Sequence, residues 1–562
     1  MGKNSPNPDI KLHNNDFNNF APAFGLSWSI PWWGQDKTVL RVGYGWSYTG
    51  GGLKNTSQRV NFISGGFPGT FGGSGVTGWE HTQAAFLSLA NLTLPIPRQF
   101  APLEVVPLDG FRSDTIVAYD PRIRDPYIQN FNFGIQRELG RNWTLDVAYV
   151  GTKGTRLWGA VPLNVVNIGA ALSGGQTFVD AFNVTRSGGN APLFDRMLVG
   201  MNIPGAGVVN GTTVTGSAAL RAYVSTRALI ANGNAGGLAD FLDRSRNITN
   251  KGGGFVRNSG LFPENFFVLN PQFRNPLAAT NPSSSTYHSL QVQMTKRLSQ
   301  GFTTQGTYTW SRSLGDADDD DRSLFQLRDP RNRSLDKALL GFHRTHNITT
   351  NGVFELPFGP NRRFLGDAPR FLQRLAERWQ FAGIFSWTSG APLTISAPIS
   401  TIWQYAANMT PNVAGDFPKN IGKVTRLENG VTLFPGIQQI TDPARANVSP
   451  LNALQGSFSN KAITDSQGRL LLLNPAPGEV GTLGLRWVEG PSRLRFDVSL
   501  TKRVRITETK EFELRVDAIN VPNRPNFSPP AAGNLNINSA GFGRITSADG
   551  NRRFLINARV NF

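Results

Sequence analysis

The sequence predicts an all-β protein, an antiparallel transmembrane β-barrel with long loops on one side of the membrane. Segments of about ten residues alternate apolar and polar side chains, and this alternation places the two kinds on opposite faces of a strand. The connections between these segments alternate between short and long along the chain. This alternation is typical of outer-membrane barrels, in which short turns face the periplasm and long loops lie outside the cell.

The stretch from Arg493 to Phe562 shows the alternation most clearly. Even positions from Leu494 to Leu500 are apolar, odd positions are charged or carry hydroxyls, and the period returns after the charged turn at Arg505 to Lys510. The polar positions are predicted to face the barrel lumen. They are Arg493, Arg495, Asp497, Glu511, Glu513, Arg515 and Asp517. We expect Glu511 and Glu513 to pair across strands with Arg493 and Arg495, and not to act as catalytic acids.

Period-two matching along the whole chain gives about eleven strands. Their approximate ranges are 20–30, 40–48, 131–139, 143–149, 290–298, 302–310, 346–356, 379–387, 493–501, 512–518 and 554–562. Alternation by itself also fits a soluble β-sandwich, in which the apolar face meets a second sheet. The connections are the feature that favours the membrane.

Loop lengths are sorted by the end of the sheet at which they lie. Short turns are predicted near residues 34, 141, 300, 367 and 507, and long connections at 49–126, 151–285, 313–345, 390–492 and 521–551. Within the connection near 367, Phe371 to Glu377 resembles one or two turns of a basic amphipathic helix. Aromatic side chains that fit an interfacial girdle lie toward the long-loop ends: Trp46, Tyr48, Tyr149, Tyr308, Trp310 and Trp387. Aromatic residues that fill a soluble core are the alternative explanation.

Composition excludes several classes of protein. The mean hydropathy is −0.25 and the sequence contains no run of about 18 uncharged apolar residues, so a spanning helix is not predicted. The chain has no cysteine, which removes disulfides, thiolate metal sites and cysteine nucleophiles. The net charge of +18 indicates an anionic partner or a dispersed excess of arginine. No Lys/Arg block accompanies it, so nucleic acid is not an expected partner.

The strand count bears on how the chain is organised. We expect residues 1–19 to be a polar lead-in or external loop and residues 20–562 to form a barrel portion. Single-chain bacterial barrels have an even number of strands, and their first strand starts on the periplasmic side. An open sheet edge does not persist in lipid. An odd count therefore predicts that this is the C-terminal portion of a longer barrel, with the remaining strands and any signal peptide upstream, or that it pairs with another chain.

Several stretches resemble one family, the Oar-like TonB-dependent outer-membrane receptors. In family order they are NNFAPAFGLSW, KTVLRVGYGWSY, DPYIQNFNFGIQRELGRNWTLDVAYVGTKGTRL, YTWSRSLGDADD, RDPRNRSLDKALLGFHRTHNITTNGVFELPFG, RWQFAGIFSWTSGAPLTI, RFDVSLTKRVRITETKEFELRVDAINVPNRPNF and GFGRITSADGNRRFLINARVNF. The resemblance implies a barrel of about 22 strands. It also implies an N-terminal plug, a carboxypeptidase-regulatory-like domain, and uptake of a solute driven by TonB. No plug, regulatory-like domain or TonB box is recognisable before residue 20, so TonB could act only through upstream segments.

The candidate metal ligands form weak patterns. Asp316, Asp318 and Asp320 have the spacing of the first calcium-loop ligands, but Asp321 and Leu327 replace the glycine and glutamate that an EF-hand requires. Two interpretations of this loop are left: a calcium site of looser geometry, or a solvated acidic loop next to arginines. His343 and His346 lack carboxylate partners, so a metal site is not expected there. The sequence has no catalytic motif, and we predict neither an enzyme nor a cofactor.

The C-terminal residues Ala558, Val560 and Phe562 resemble the signal by which barrel-insertion machinery recognises its substrates. An ordinary last strand is the alternative. The predicted location is the outer membrane of a Gram-negative cell, with lipid, lipopolysaccharide and the insertion machinery as partners. The predicted function is a receptor or transporter barrel for an unidentified solute. The alternatives are a passive porin-like or structural barrel and a secreted soluble β-sandwich.

Overall fold

A computed structural model gives the fold of the protein. It describes residues 14, 16–49, 117–140, 142–173, 175–244, 254–271, 273, 276–316, 327–360, 362–507 and 509–562. Among these residues, no helix is both long enough and apolar enough to cross a membrane.

One antiparallel sheet dominates the described part of the chain, and its strands follow one another in sequence order. The path contains eleven strands, the number that the period-two matching predicts. They are β1 (Ala23–Ser29), β2 (Thr38–Tyr48), β3 (Tyr127–Gly140), β4 (Trp143–Pro162), β5 (Leu277–Ser299), β6 (Phe302–Gly315), β7 (His346–Glu355), β8 (Trp379–Thr388), β9 (Arg493–Arg505), β10 (Glu511–Ile519) and β11 (Arg553–Asn561). Val117–Tyr119 adds a short parallel pairing to β5, and Ala338–Leu339 pairs with β6.

The strand register aligns apolar side chains into continuous rows, because residues directly opposite each other in a sheet share a face. One row runs from β7 to β11 through Phe354, Phe381, Leu500, Val516 and Ile556. These side chains are not covered by a second sheet, since Phe381 is 40% exposed and Ile556 is 74% exposed. The soluble sandwich alternative therefore has no second sheet for this face within the described residues.

Short and long connections lie at opposite ends of this sheet, as predicted. The short ones are 30–37, 141–142, 300–301, 356–378 and 506–510, and the long ones are 49–126, 163–276, 316–345, 389–492 and 520–552. The turn between β5 and β6 consists of Gln300 and Gly301, both with positive φ (53° and 76°). Two positive φ values characterise the tight hairpin turn whose twist matches that of the strands. Local turn chemistry therefore closes this hairpin with two residues.

The long connection predicted at 151–285 is present, but it is shorter, at 163–276, and its described residues include helices that the sequence analysis did not predict. β4 and β5 extend well beyond the expected strand ends, and the described residues between them form five helices: α1 (Phe178–Arg186), α2 (Pro192–Leu198), α3 (Gly216–Ala222), α4 (Val224–Ala231) and α5 (Ala235–Arg244). The signal was present in α1, where Phe178, Ala181, Phe182 and Thr185 are buried at helical spacing. The hydroxyl of Thr177 accepts a hydrogen bond from Asp180 N (3.2 Å) and caps this helix.

The long connections also contain small strands and single turns of 3₁₀ helix. The strands are Asn202–Ile203, Gly207–Val208, Pro392–Leu393, Asn412–Val413, Thr425–Leu427, Gly430–Thr432, Gln438–Thr441, Lys461–Thr464, Leu470–Leu473, Val488–Glu489, Asn526–Phe527, Arg544–Ile545 and Ala548–Asp549. The 3₁₀ turns are Phe255–Arg257, Arg333–Asp336, Pro443–Asn447, Leu451–Ala453, Gln455–Ser457 and Ala532–Leu535. At the opposite end of the sheet, Pro31–Trp33 forms a 3₁₀ turn and Arg370–Ala376 forms helix α6.

The long connections pack on one another through two hydrophobic clusters. The Gln404 side chain joins two of the connections, because its Oε1 accepts from Val166 N (3.0 Å) and its Nε2 donates to Asn164 O (2.7 Å). A backbone hydrogen bond from Ser396 N to Leu535 O (2.9 Å) joins two others. We call the described residues of 163–276, 327–345, 389–492 and 520–552 the cap. Its buried core, and not the sheet, contains most of the fully buried side chains.

A buried arginine connects distant parts of the cap. Arg328 is 4% exposed, and its Nη2 donates to Thr410 Oγ1 (2.8 Å) and to the carbonyl oxygen of Gly481. Its backbone N–H donates to Asp336 Oδ1 (3.0 Å). Burial lowers the pKa of Arg328 and the nearby Asp336 opposes this shift. The guanidinium thus donates hydrogen bonds to two acceptors, Thr410 Oγ1 and the Gly481 carbonyl oxygen, that are buried away from solvent.

Replacing this arginine should loosen the cap. We expect Arg328→Met to destabilise it by at least the roughly 1–3 kcal/mol that one unsatisfied buried polar group costs. The measurement is the denaturant midpoint at which the cap becomes sensitive to protease. The matched control is Arg469→Met, which removes an exposed cap arginine paired with Asp465. Equal midpoints for the two variants would contradict the role given to Arg328.

Candidate functional site

The polar face of β8 to β11 is the candidate site. All seven residues predicted to face the lumen lie on this one face, because the register sets Arg515 opposite Thr501 and Asp517 opposite Ser499. Alternation along β9 and β10 then places the rest of the set beside them. The structure divides the set into two groups at opposite ends of the strands.

The group at the short-turn end is a network of ion pairs. Glu513 forms ion pairs with Arg503, whose Nε lies at 2.8 Å, and with Arg559, whose Nη2 lies at 3.2 Å. Glu511 forms an ion pair with Arg378, whose Nη1 lies at 2.5 Å. The expectation that these two acids pair with Arg493 and Arg495 is wrong, although all four residues share a face. The tight turn at 506–510 fixes the register so that Glu511 lies opposite Arg505 and Glu513 opposite Arg503.

At the long-connection end, Arg493 and Arg495 line a cavity of about 610 Å³, whereas Asp497, Arg515 and Asp517 lie on the same face outside its lining. Arg493 Nη2 lies 2.5 Å from Asp549 Oδ2, and Arg495 Nε lies 2.5 Å from Asp497 Oδ2. Asn520 N donates to the other oxygen of Asp497 (2.9 Å). The lining includes residues of β8, β9, β10, β11 and the cap: Ser386, Thr388, Arg493, Arg495, Asn520, Asn526, Asp549, Asn551 and Arg553.

Arginine exceeds acid in the lining of this cavity. Arg493, Arg495 and Arg553 contribute three guanidinium groups, whereas Asp549 is the one carboxylate of the lining. Arg553 has no ion-pair partner among the described residues. Guanidinium groups match carboxylate and phosphate oxygens in two-point geometry, and the amides and hydroxyls nearby add neutral donors and acceptors. The cavity can therefore bind a small anionic or hydroxyl-rich molecule.

The sequence did not indicate the cap residues of this cavity. Asn520, Asn526, Asp549 and Asn551 come from a connection that was expected only to be long and exposed. Asn520 adopts a positive φ of 53° directly after β10, and its side-chain amide donates to the carbonyl oxygens of Arg524 (3.1 Å) and Gly550. An asparagine at the end of a strand is a turn signal. It indicates that the chain bends there, but not what it bends toward.

Only part of the acidic loop lies within the described residues. Asp318 and Asp320 lie outside the described residues, so the calcium hypothesis for them is untested. Asp316 Oδ1 accepts from Ser284 N (3.0 Å), and its Oδ2 lies 3.6 Å from Arg333 Nη2. Among the described residues, no group of three His, Asp or Glu side chains is arranged to hold a metal ion.

The two histidines near residue 345 have separate environments. His343 is buried, its Nδ1 accepts from Ser313 N (3.3 Å), and burial together with Arg344 and Arg312 lowers its pKa. His346 lies instead on the apolar face of β7, where its Nδ1 lies 2.9 Å from the Tyr308 hydroxyl. Each imidazole thus has its own hydrogen-bonding partner.

Aromatic side chains mark both ends of the apolar face. At the long-connection end, Trp46 stacks on Tyr127 with ring centroids 5.3 Å apart, and His346 stacks between Tyr308 and Trp387. At the short-turn end, where Trp28 and Trp32 pack edge to face, three further tryptophans each carry a cation above the ring. The pairs are Trp33 with Arg137 at 5.9 Å, Trp143 with Lys296 at 5.4 Å, and Trp379 with Lys502 at 5.6 Å. This second row was not predicted.

Comparison with solved structures gives low similarity. The outer membrane transporter YddB from Escherichia coli shares 9% identity with a TM-score of 0.36, and the match covers 94% of this chain and 38% of that one. The siderophore receptor PirA from Acinetobacter baumannii shares 7% identity with a TM-score of 0.33, covering 97% and 41%. The chain thus spans about two-fifths of their length. At these TM-scores the fold assignment does not depend on them.

No curated protein matches the chain. A family model does match, and it covers residues 1–555. Its description agrees with the dominant antiparallel sheet, the exposed apolar face and the sorted connections. The chain belongs to the family described as the outer membrane beta barrel domain, and its place is the outer membrane.

Proposed function

We propose that the chain is the solute-binding part of an outer-membrane receptor, of the Oar-like TonB-dependent type, that takes up a small anionic solute. The observation that carries the proposal is the arginine-rich cavity on the polar face, next to the cap. On this proposal the polar face lines a lumen, the cap faces the exterior, and the solute meets Arg493, Arg495 and Arg553. No residue is assigned a catalytic role.

The open edges of the sheet indicate how such a barrel would be completed. Within the described residues, β1 pairs only with β2 and β11 only with β10, and every residue of both edge strands is exposed. Unpaired backbone groups are too costly in hydrocarbon to persist. Further strands must therefore close the wall, and the resemblance suggests a total of about 22. On this proposal, a plug and contacts with TonB complete the receptor.

A passive porin-like or structural barrel is the second candidate, because exposed apolar rows and sorted loops serve it equally well. The DNA upstream of Met1 distinguishes the two. A reading frame that encodes a plug and a TonB box supports the receptor. A signal peptide followed directly by barrel strands would support the passive barrel. Ala558, Val560 and Phe562 remain a predicted insertion signal, and Phe562 is 87% exposed.

Sidedness is testable because the chain has no cysteine. Glu428 lies in the cap and Asp367 in a short-turn connection, and both side chains are exposed. In cells that carry the protein in their outer membrane, a membrane-impermeant maleimide should label Glu428→Cys directly. Asp367→Cys should react only after the outer membrane is permeabilised. Labelling of Asp367→Cys in intact cells would contradict the assigned orientation.

The binding role of the cavity is testable with citrate as the anionic probe. We expect purified protein to bind citrate, and the double variant Arg493→Gln/Arg495→Gln to weaken binding by about tenfold or more. That factor equals about 1.4 kcal/mol, a typical value for lost charge-assisted hydrogen bonds. Calorimetric titration at constant ionic strength measures it.

The control for this experiment removes the same charge elsewhere. Arg445→Gln/Arg469→Gln changes two arginines of the cap that do not line the cavity. If the control weakens citrate binding as much as the cavity variant does, net charge and not the cavity is responsible. Citrate binding that the cavity variant leaves unchanged would also contradict the site.

A further inference from the structure

One short-turn connection differs from the others in carrying a helix. In the connection 356–378, α6 has Phe371, Leu372, Leu375 and Ala376 on one side and Arg370, Gln373 and Arg374 on the other, at 100° per residue. None of its residues is buried. Phe371 is 75% exposed, Leu372 45% and Leu375 59%. The apolar side of α6 is therefore largely exposed in the described protein.

Two residues of the wall hold the C-terminal end of α6. Lys502 Nζ donates to the carbonyl oxygens of Arg374 (2.8 Å) and Glu377, and Trp379 Nε1 donates to Leu375 O (2.9 Å). These carbonyls are among the four that a helix leaves without partners at its C-terminus, where a cation is also favoured by the helix dipole. Side chains of the main sheet thus provide the hydrogen bonds that the last carbonyls of α6 lack within the helix.

Both of these residues belong to the apolar face of the sheet. Lys502 follows Val498 and Leu500 in the apolar alternation of β9, and the register places it opposite Trp379. The same register sets Phe381 opposite Leu500, one apolar pair further from the rim. Since α6 is attached on this side, its exposed apolar residues continue the surface that the barrel presents to lipid.

The surrounding charges suit a membrane interface. The cation–aromatic pairs of the short-turn end, including Lys502 above Trp379, lie in the row where Trp, Lys and Arg favour the headgroup level. Arg370 and Arg374 lie on the polar side of α6, next to its exposed Phe/Leu side. Basic side chains next to an exposed Phe/Leu face are typical of helices that lie in the plane of a membrane surface.

We infer that α6 is an interfacial anchor that binds phospholipids of the periplasmic leaflet. Phe371, Leu372 and Leu375 enter the boundary between headgroups and acyl chains, and Arg370 and Arg374 face the phosphates. Lys502 and Trp379 fix the helix to the wall, so the anchor sets the depth of this rim in the membrane. The inference depends on the outer-membrane location and not on the transported solute.

Spin labelling of single cysteines tests the inference on the protein reconstituted in vesicles of phosphatidylethanolamine and phosphatidylglycerol. A nitroxide at Leu372→Cys should collide more with oxygen than with a water-soluble nickel complex, as a label at Leu290→Cys on the wall does. A nitroxide at Arg370→Cys, on the other side of the same helix, should show the reverse preference. A Leu372 label that prefers the nickel complex would overturn the proposal.

The attachment of α6 has its own test. Lys502→Met removes the donor to the helix carbonyls, so the spectrum of the Leu372 label should narrow as the helix becomes more mobile. Lys510→Met is the control, because this lysine lies at the same rim, 5.4 Å from the ring of Phe562, and away from α6. Retention of the oxygen preference at Leu290 verifies that the wall is intact. An unchanged Leu372 spectrum in Lys502→Met would overturn the role of the lysine.

Discussion

The fold depends on one constraint: a backbone amide in hydrocarbon has no water to bond, so each strand in the membrane must pair with a neighbour. Eleven consecutive strands meet this requirement by pairing in sequence order, and the register that pairs the backbone also aligns the apolar side chains in rows. The polar residues are then forced onto the opposite face. That face holds the ion-pair network at one end and the arginine-rich cavity at the other.

The same constraint explains what the sequence could predict. A side chain has only two directions in a strand, so alternation such as that from Leu494 to Leu500 assigns a face to each residue without knowledge of its partners. Loop lengths are also countable from the sequence. The eleven strands, the sorted connections and the shared face of the seven polar residues follow from these two properties. The short helix near Phe371 was visible because its pattern is local.

Features that depend on distant partners could not be predicted. The helices between β4 and β5 are short. Their apolar residues form a core together with residues of another connection, such as Trp403 and Val448. The partners of Glu511 and Glu513 depend on the strand register that the turn at 506–510 sets. The alternation of side chains assigns a face to each residue but does not reveal the register. The cation–aromatic row needed the same information. Trp379 and Lys502 are far apart in sequence and meet only through the pairing of β8 with β9.

Contact between the apolar rows and lipid is the interaction on which the assignment of the two faces depends. Photocrosslinking in the membrane tests it most directly, with p-benzoylphenylalanine placed at Phe381 and, in a second variant, at Gln380. These neighbours in β8 point to opposite faces. We expect the probe at Phe381 to become attached to lipid and the probe at Gln380 to remain free of it. Attachment of lipid at Gln380, or its absence at Phe381, would contradict the assignment of faces.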